Sequence, residues 1–106
     1  MSYILIIILP NVKESLMFRM WGKIIKNGKI IRDHVVCIED YSLTRTQKVY
    51  KSLEELCQEL QIGIPIWLEL NKKDFICFNK TRFNQDSFIH AIEFDYLEFQ
   101  LIEDDY

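Results

Sequence analysis

The sequence predicts an α+β domain, an antiparallel sheet with one principal helix packed across one face, and three observations predict it. Two apolar-rich runs, LMFRMWGKIIK and KIIRDHVVCIE, flank Asn27-Gly28; apolar residues at helical spacing run from Val49 to Leu60; and FDYLEFQLIE alternates near the end of the chain. Strands, one main helix and a closing strand are the ingredients of an α+β layer. With 106 residues, 49% of them hydrophobic and only five Gly or Pro, a single domain over residues 1–106 with one core is expected.

Tyr3 to Leu9, YILIIIL, reads as a strand because it is short, rich in Ile and ended by Pro10-Asn11. The run is too short to cross a bilayer and lacks the basic flank and small-residue cleavage site of a leader, so a buried strand is the expectation. Asn27-Gly28 is the pair best suited to the positive φ angles of a type I′ hairpin turn. Placing Lys26 opposite Lys29 pairs Ile24 with Ile31, Met20 with Val35 and Phe18 with Cys37 on the core side. Lys23 with Arg32, Trp21 with His34 and Arg19 with Val36 then share the other face.

Val49, Leu53, Leu56, Cys57 and Leu60 form one helical stripe within Thr44–Gln61. Thr44 with Gln47 and Ser52 with Glu55 each have capping-box spacing, so the helix starts at one or the other, and Gly63 and Pro65 end it. Ile66 to Leu70 reads as a short strand, and Asn71 as the cap of one helical turn through Phe75. Asn84 caps a second short helix, Gln85–Ile92, that turns Phe88, Ile89 and Ile92 inward. Leu97, Phe99 and Leu101 alternate inward along a closing strand.

The pattern GKIIKNGKIIRDHVV, followed by TRTQKVYKSLEELCQEL, PIWLEL, KTRFNQDSFI and FDYLEFQLIED, resembles that of a group of small bacterial proteins of about this length. The resemblance spans residues 20 to 104 and is most marked at Pro65-Ile66-Trp67-Leu68 and at Lys80 to Ile89. It implies a small intracellular bacterial protein and carries no catalytic residues, since the group has no established activity. Members of the group begin near Met20, which leaves residues 1–16 as an extra strand or as the product of a start upstream of Met17 or Met20.

The net charge of −3 hides a polarity. Residues 1 to 53 hold nine Lys/Arg against four Asp/Glu, and residues 54 to 106 hold four against twelve. The halves are expected to attract each other, within one molecule or across a homodimer, or to meet a charged partner. Three cysteines, Cys37, Cys57 and Cys77, share no CxxC spacing and read as reduced thiols of a cytoplasmic protein. His34 and Cys37 stand three apart on a strand and so point to opposite faces, which argues against a metal pair. Neither histidine, His34 or His90, has the surroundings of a catalytic base, and no phosphate loop or HExxH is present. No enzyme activity, cofactor or membrane span is expected.

Two contact regions remain. The first is Lys80, Arg82, Gln85 and Asp86 with Trp67, where cations beside a capped turn suit a protein partner or an anion; Arg82 is expected to pair with Asp86 or Asp74. The second is the hairpin face, where Trp21 among Arg19, Lys23, Arg32 and His34 has the stacking ring and cations of a single-stranded nucleic-acid platform. The resulting expectation is a non-enzymatic interaction module. The alternatives are a nucleic-acid-binding protein and a mobile-element accessory protein that inhibits a host complex by offering its acidic half in place of nucleic acid. Glu98, Glu103, Asp104 and Asp105 read as a solvated end that protects the last strand or docks on a second copy.

Overall fold

The computed structural model describes residues 16–105, and the strand expected over Tyr3–Leu9 lies outside them. The elements are β1 (Phe18–Lys26), β2 (Lys29–Ile38), α1 (Arg45–Leu60), α2 (Glu69–Phe78), β3 (Lys80–Phe83), a 3-10 turn (Gln85–Ser87) and β4 (Tyr96–Glu103). The strands form one four-stranded sheet in the order β2-β1-β4-β3, antiparallel at every pairing. This is the α+β architecture that the sequence predicts.

The hairpin turn has the predicted chemistry, with φ of 54° at Asn27 and 75° at Gly28. The expected register does not survive it. Lys26 does face Lys29 and Ile25 faces Ile30, but a bulge then makes Ile24 the partner of Arg32 and leaves Ile31 as the extra residue. Beyond the bulge Met20 faces Val36 and Phe18 faces Ile38. Because side chains alternate along a strand, one inserted residue moves every later β2 side chain to the other face. Val36 and Ile38 therefore join the core in place of Val35 and Cys37, which are exposed.

The capping box at Thr44 starts α1: Gln47 N donates to Thr44 Oγ1 at 3.2 Å and Thr44 N to Gln47 Oε1 at 2.9 Å. All five stripe residues, Val49, Leu53, Leu56, Cys57 and Leu60, are buried against Phe18, Met20, Ile24, Val36, Leu97 and Phe99. Gln61 at φ 58° ends the helix ahead of Gly63. Arg32 reaches the Leu60 carbonyl at the helix's C-terminus, where a cation suits the dipole.

Three local expectations are corrected. Ile66 to Leu70 is not a strand: residues 62–68 are irregular, Pro65 removes a ladder donor, and α2 already includes Leu70. Asn71 lies inside α2 and not at its cap; its Oδ1 accepts from Leu68 N at 3.0 Å, and its amide donates to Thr81 Oγ1 and to the Arg82 carbonyl, both at 2.9 Å. Those bonds dock the start of α2 on β3, so the helix runs on to Phe78. The helix expected over Gln85–Ile92 is only the 3-10 turn, capped by Asn84, which accepts from Asp86 N. Gln85 takes over from helical bonding beyond it, accepting from Ile92 N at 2.9 Å and donating to the His90 carbonyl at 3.0 Å. Phe88 is buried there, but Ile89 turns outward and is 82% exposed.

Gly22 of β1 lies close under α1, for a Cβ there would lie 3.2 Å from Leu56 Cδ1. Gly22→Val forces β-branched methyls into Leu56, and overpacking of this kind costs about 1–3 kcal/mol. Urea unfolding should show a lower midpoint with an unchanged slope; an unchanged midpoint would mean that α1 rides higher on the sheet than described.

Candidate functional site

The sheet has a helix-covered face and an open face, and charge is arranged on the open one. Arg19, Trp21 and Lys23 of β1, Glu98 and Gln100 of β4 and Lys80 and Arg82 of β3 share it. Lys23 is buried there, 2.7 Å from Glu98 Oε2 and 2.9 Å from Gln100 Oε1, with its ammonium 3.9 Å from the centre of the Trp21 ring. The Trp21 indole donates to Asp33 Oδ2 at 2.9 Å. Arg82 shares Glu98 at 3.2 Å and lies over Tyr96, so neither Asp86 nor Asp74 is its partner. Arg19 pairs with Glu103 at 2.8 Å.

The hairpin platform is thus not assembled as expected. The bulge carries Arg32 and His34 to the α1 side, away from Trp21, and the cations that stay beside the indole are paired with carboxylates. The acidic end is likewise not merely solvated: Asp104 binds Arg45, and Asp105 binds the buried Lys48. Arg19, Lys23, Arg45 and Lys48 each join a cation from the first half to an acid from the second, so the two halves meet within one molecule.

The other contact region divides between the faces. Lys80 and Arg82 lie on the open face, whereas Gln85 is occupied as a loop staple and Asp86 is exposed beside Asn84. Trp67 lies on the helix side with Phe83. Thr81 and Phe83 alternate with Lys80 and Arg82 along β3, and this alternation separates Trp67 from the cations.

Trp67 instead lines a groove of about 410 Å³ between the first half of α1 and α2. Its other lining residues are Arg45, Thr46, Val49, Tyr50, Lys72, Phe75, Ile76 and Asn79. The Trp67 ring stands nearly perpendicular to four others, with centroid distances of 5.9 Å to Tyr50, 5.8 Å to Phe75, 5.0 Å to Phe83 and 5.9 Å to Phe99. Edge-to-face pairs of this kind add about 0.5–1.5 kcal/mol each beyond burial. The indole Nε1 is buried with no hydrogen-bond acceptor among the described residues. Ile76, by contrast, is 82% exposed at the rim.

Sequence reasoning singled out Trp67 but not Tyr50, Phe75 and Ile76. The signal was available in ELNKKDFICF, which as one continuous helix sets Lys72, Phe75 and Ile76 at offsets of 0, 3 and 4 on one flank. A second groove of about 550 Å³ lies between the hairpin tip, the end of α1 and the 88–94 loop; it includes Arg32, Ile62, His90 and Glu93. Among the described residues no three His, Cys, Asp or Glu side chains are grouped to hold a metal, and no helix is long and apolar enough to cross a membrane. Burial pushes the Cys57 thiol up to about 12, which keeps it protonated and unreactive. No family model, no curated protein and no solved structure matches the chain.

Two carboxylates give stability a pH dependence. Burial pushes the Glu98 carboxyl up, but bonds and charge from Lys23, together with Arg82 and Lys80, outweigh it and hold the group below its ordinary value. The hydrogen bond from Lys48, against a smaller effect of burial, holds Asp105 low as well. A carboxyl lowered in the folded state contributes stability above its unfolded value and loses it as pH falls through the folded one. Melting temperature should therefore drop as pH falls below about 4, and a Glu98→Gln, Asp105→Asn variant should show a shallower fall. An unchanged slope in that variant would place the acid sensitivity elsewhere.

Proposed function

We propose that this protein is a non-enzymatic interaction module of a bacterial cytoplasm that docks a partner polypeptide in the groove between α1 and α2. The observation that carries this reading is Trp67, a large aromatic anchor at the groove, packed by four rings and sharing the groove's lining with the exposed Ile76 and Tyr50. Binding energy in protein interfaces concentrates in aromatic side chains seated in well-packed apolar pockets. Exposed apolar residues gathered at one place on a surface are the usual mark of such a contact.

The rest of the surface supports the same reading. On the open face the cations of β1 and Arg82 of β3 are paired with internal carboxylates, which lowers the charge available to a nucleic-acid platform. The mechanism is surface complementarity: an apolar side chain leaves water for the groove, and the fold keeps the groove's walls in place.

Selection of a displayed random-peptide library on the protein tests this. Clones that bind the wild type should lose binding to Ile76→Asp, a substitution at an exposed position that leaves folding within about 0.5 kcal/mol. Selected clones that bind both proteins equally would move the docking surface away from this groove.

A further inference from the structure

We infer that the outer edge of β2 docks an extended, basic strand of a partner polypeptide, which pairs its backbone with Asp33, Val35 and Cys37 and sets cations against Glu55 and Glu59 of α1. The site lies at the opposite edge of the sheet from β3 and α2 and does not rest on the reading of the α1–α2 groove.

The backbone carries the first half of this inference. Ile25 of β1 accepts from Asp95 N at 2.9 Å, so its carbonyl points to the β4 side. Strand backbones alternate in direction, and Lys23, Trp21 and Arg19 therefore bond toward β4 as well. Their partners on β2, Asp33, Val35 and Cys37, aim N–H and C=O away from the sheet. Native proteins blunt such an edge with shortness, proline or bulges. The other edge strand, β3, is four residues long; β2 is ten, has no proline, and bulges at Ile31, next to the turn. Asp33 to Cys37 are left as an open template for a further strand.

The side chains select what that strand carries. A groove of about 440 Å³ runs between this stretch of β2 and α1, and its lining includes Glu55, Gln58 and Glu59 but no Lys or Arg. Among the described residues no ion pair reaches either carboxylate. Like charges four apart on a helix repel, and a cation from outside relieves that cost. Their separation, about 5–6 Å at Cβ, is close to the roughly 6.6 Å between alternate side chains of a strand. Two cations at alternate positions of the docked strand thus meet both carboxylates. The residues between them fall on the other face, beside the exposed Val35 and Cys37, where apolar side chains fit. A second copy is the weaker occupant. Pairing β2 with its own copy across a two-fold sets both α1 helices on one face, with Glu55 and Glu59 of each turned toward the other's.

The test is a titration of ¹⁵N-labelled protein with capped peptides that alternate Lys with Val, alongside a Glu–Val set and a Lys–Val set N-methylated at every second residue. The plain Lys–Val set should shift the amides of Asp33, Val35 and Cys37, slow their exchange with solvent, and leave Ile76 in place. The double variant Glu55→Lys, Glu59→Lys should weaken that set about fivefold and strengthen the Glu–Val set, a reciprocal change that a merely structural role for the two carboxylates does not produce. Equal binding of the Lys–Val and Glu–Val sets by the wild type would overturn the basic preference, and equal binding of the N-methylated set would overturn strand pairing. No shift at β2 with any set would overturn both. Exchange protection of these amides that rises with protein concentration, in the absence of peptide, would give the edge to a second copy instead.

Discussion

Trp67 is the contact on which the arrangement of α1, α2 and the sheet depends. Tyr50 comes from α1, Phe75 from α2, Phe83 from β3 and Phe99 from β4, and the one indole touches all four. Phe75 in turn stacks on Phe99 at 5.6 Å, which brings α2 onto the sheet directly. The two helices do not close over this cluster, and the space left between them is the groove. A single side chain from an irregular segment thus both joins the layers and lines the groove between the helices.

Electrostatics does the complementary work at the edges of that cluster. In a chain with a basic first half and an acidic second half, the sheet order brings the two together by setting β1 beside β4. Lys23 meets Glu98 across that pairing, and the residues after β4 reach back to Arg45 and Lys48 on α1. Near-buried pairs of this sort add little net stability over apolar substitutes but penalise any register that separates them. Lys48 sits deep beside Phe18 and Tyr41, so the acidic end also fixes the wall of α1 that borders the groove.

What was legible in the sequence was set by local chemistry. The Asn27-Gly28 turn, the Thr44–Gln47 capping box, the α1 stripe and the alternation of β4 each announce themselves within a few residues, and each stands in the structure. The β2 faces did not, because a one-residue bulge leaves no mark on an Ile-Ile pair that would fit either face. The span from Asn71 to Ile92 was misread for a related reason: Asn71 and Gln85 act over distances of 7 to 16 residues, bonding Thr81, Arg82, Ser87 and Ile92. Trp67 was visible as a candidate anchor, but its partners come from four elements, and no window of sequence contains them together.

The most direct test of Trp67 as the buried anchor of the groove is the ¹⁵N–¹H resonance of its indole. The account predicts a signal well upfield of the Trp21 indole, which is bonded to Asp33, with slow exchange against solvent. An indole that exchanges as fast as an exposed one would contradict it, because the ring would then not be seated among Tyr50, Phe75, Phe83 and Phe99.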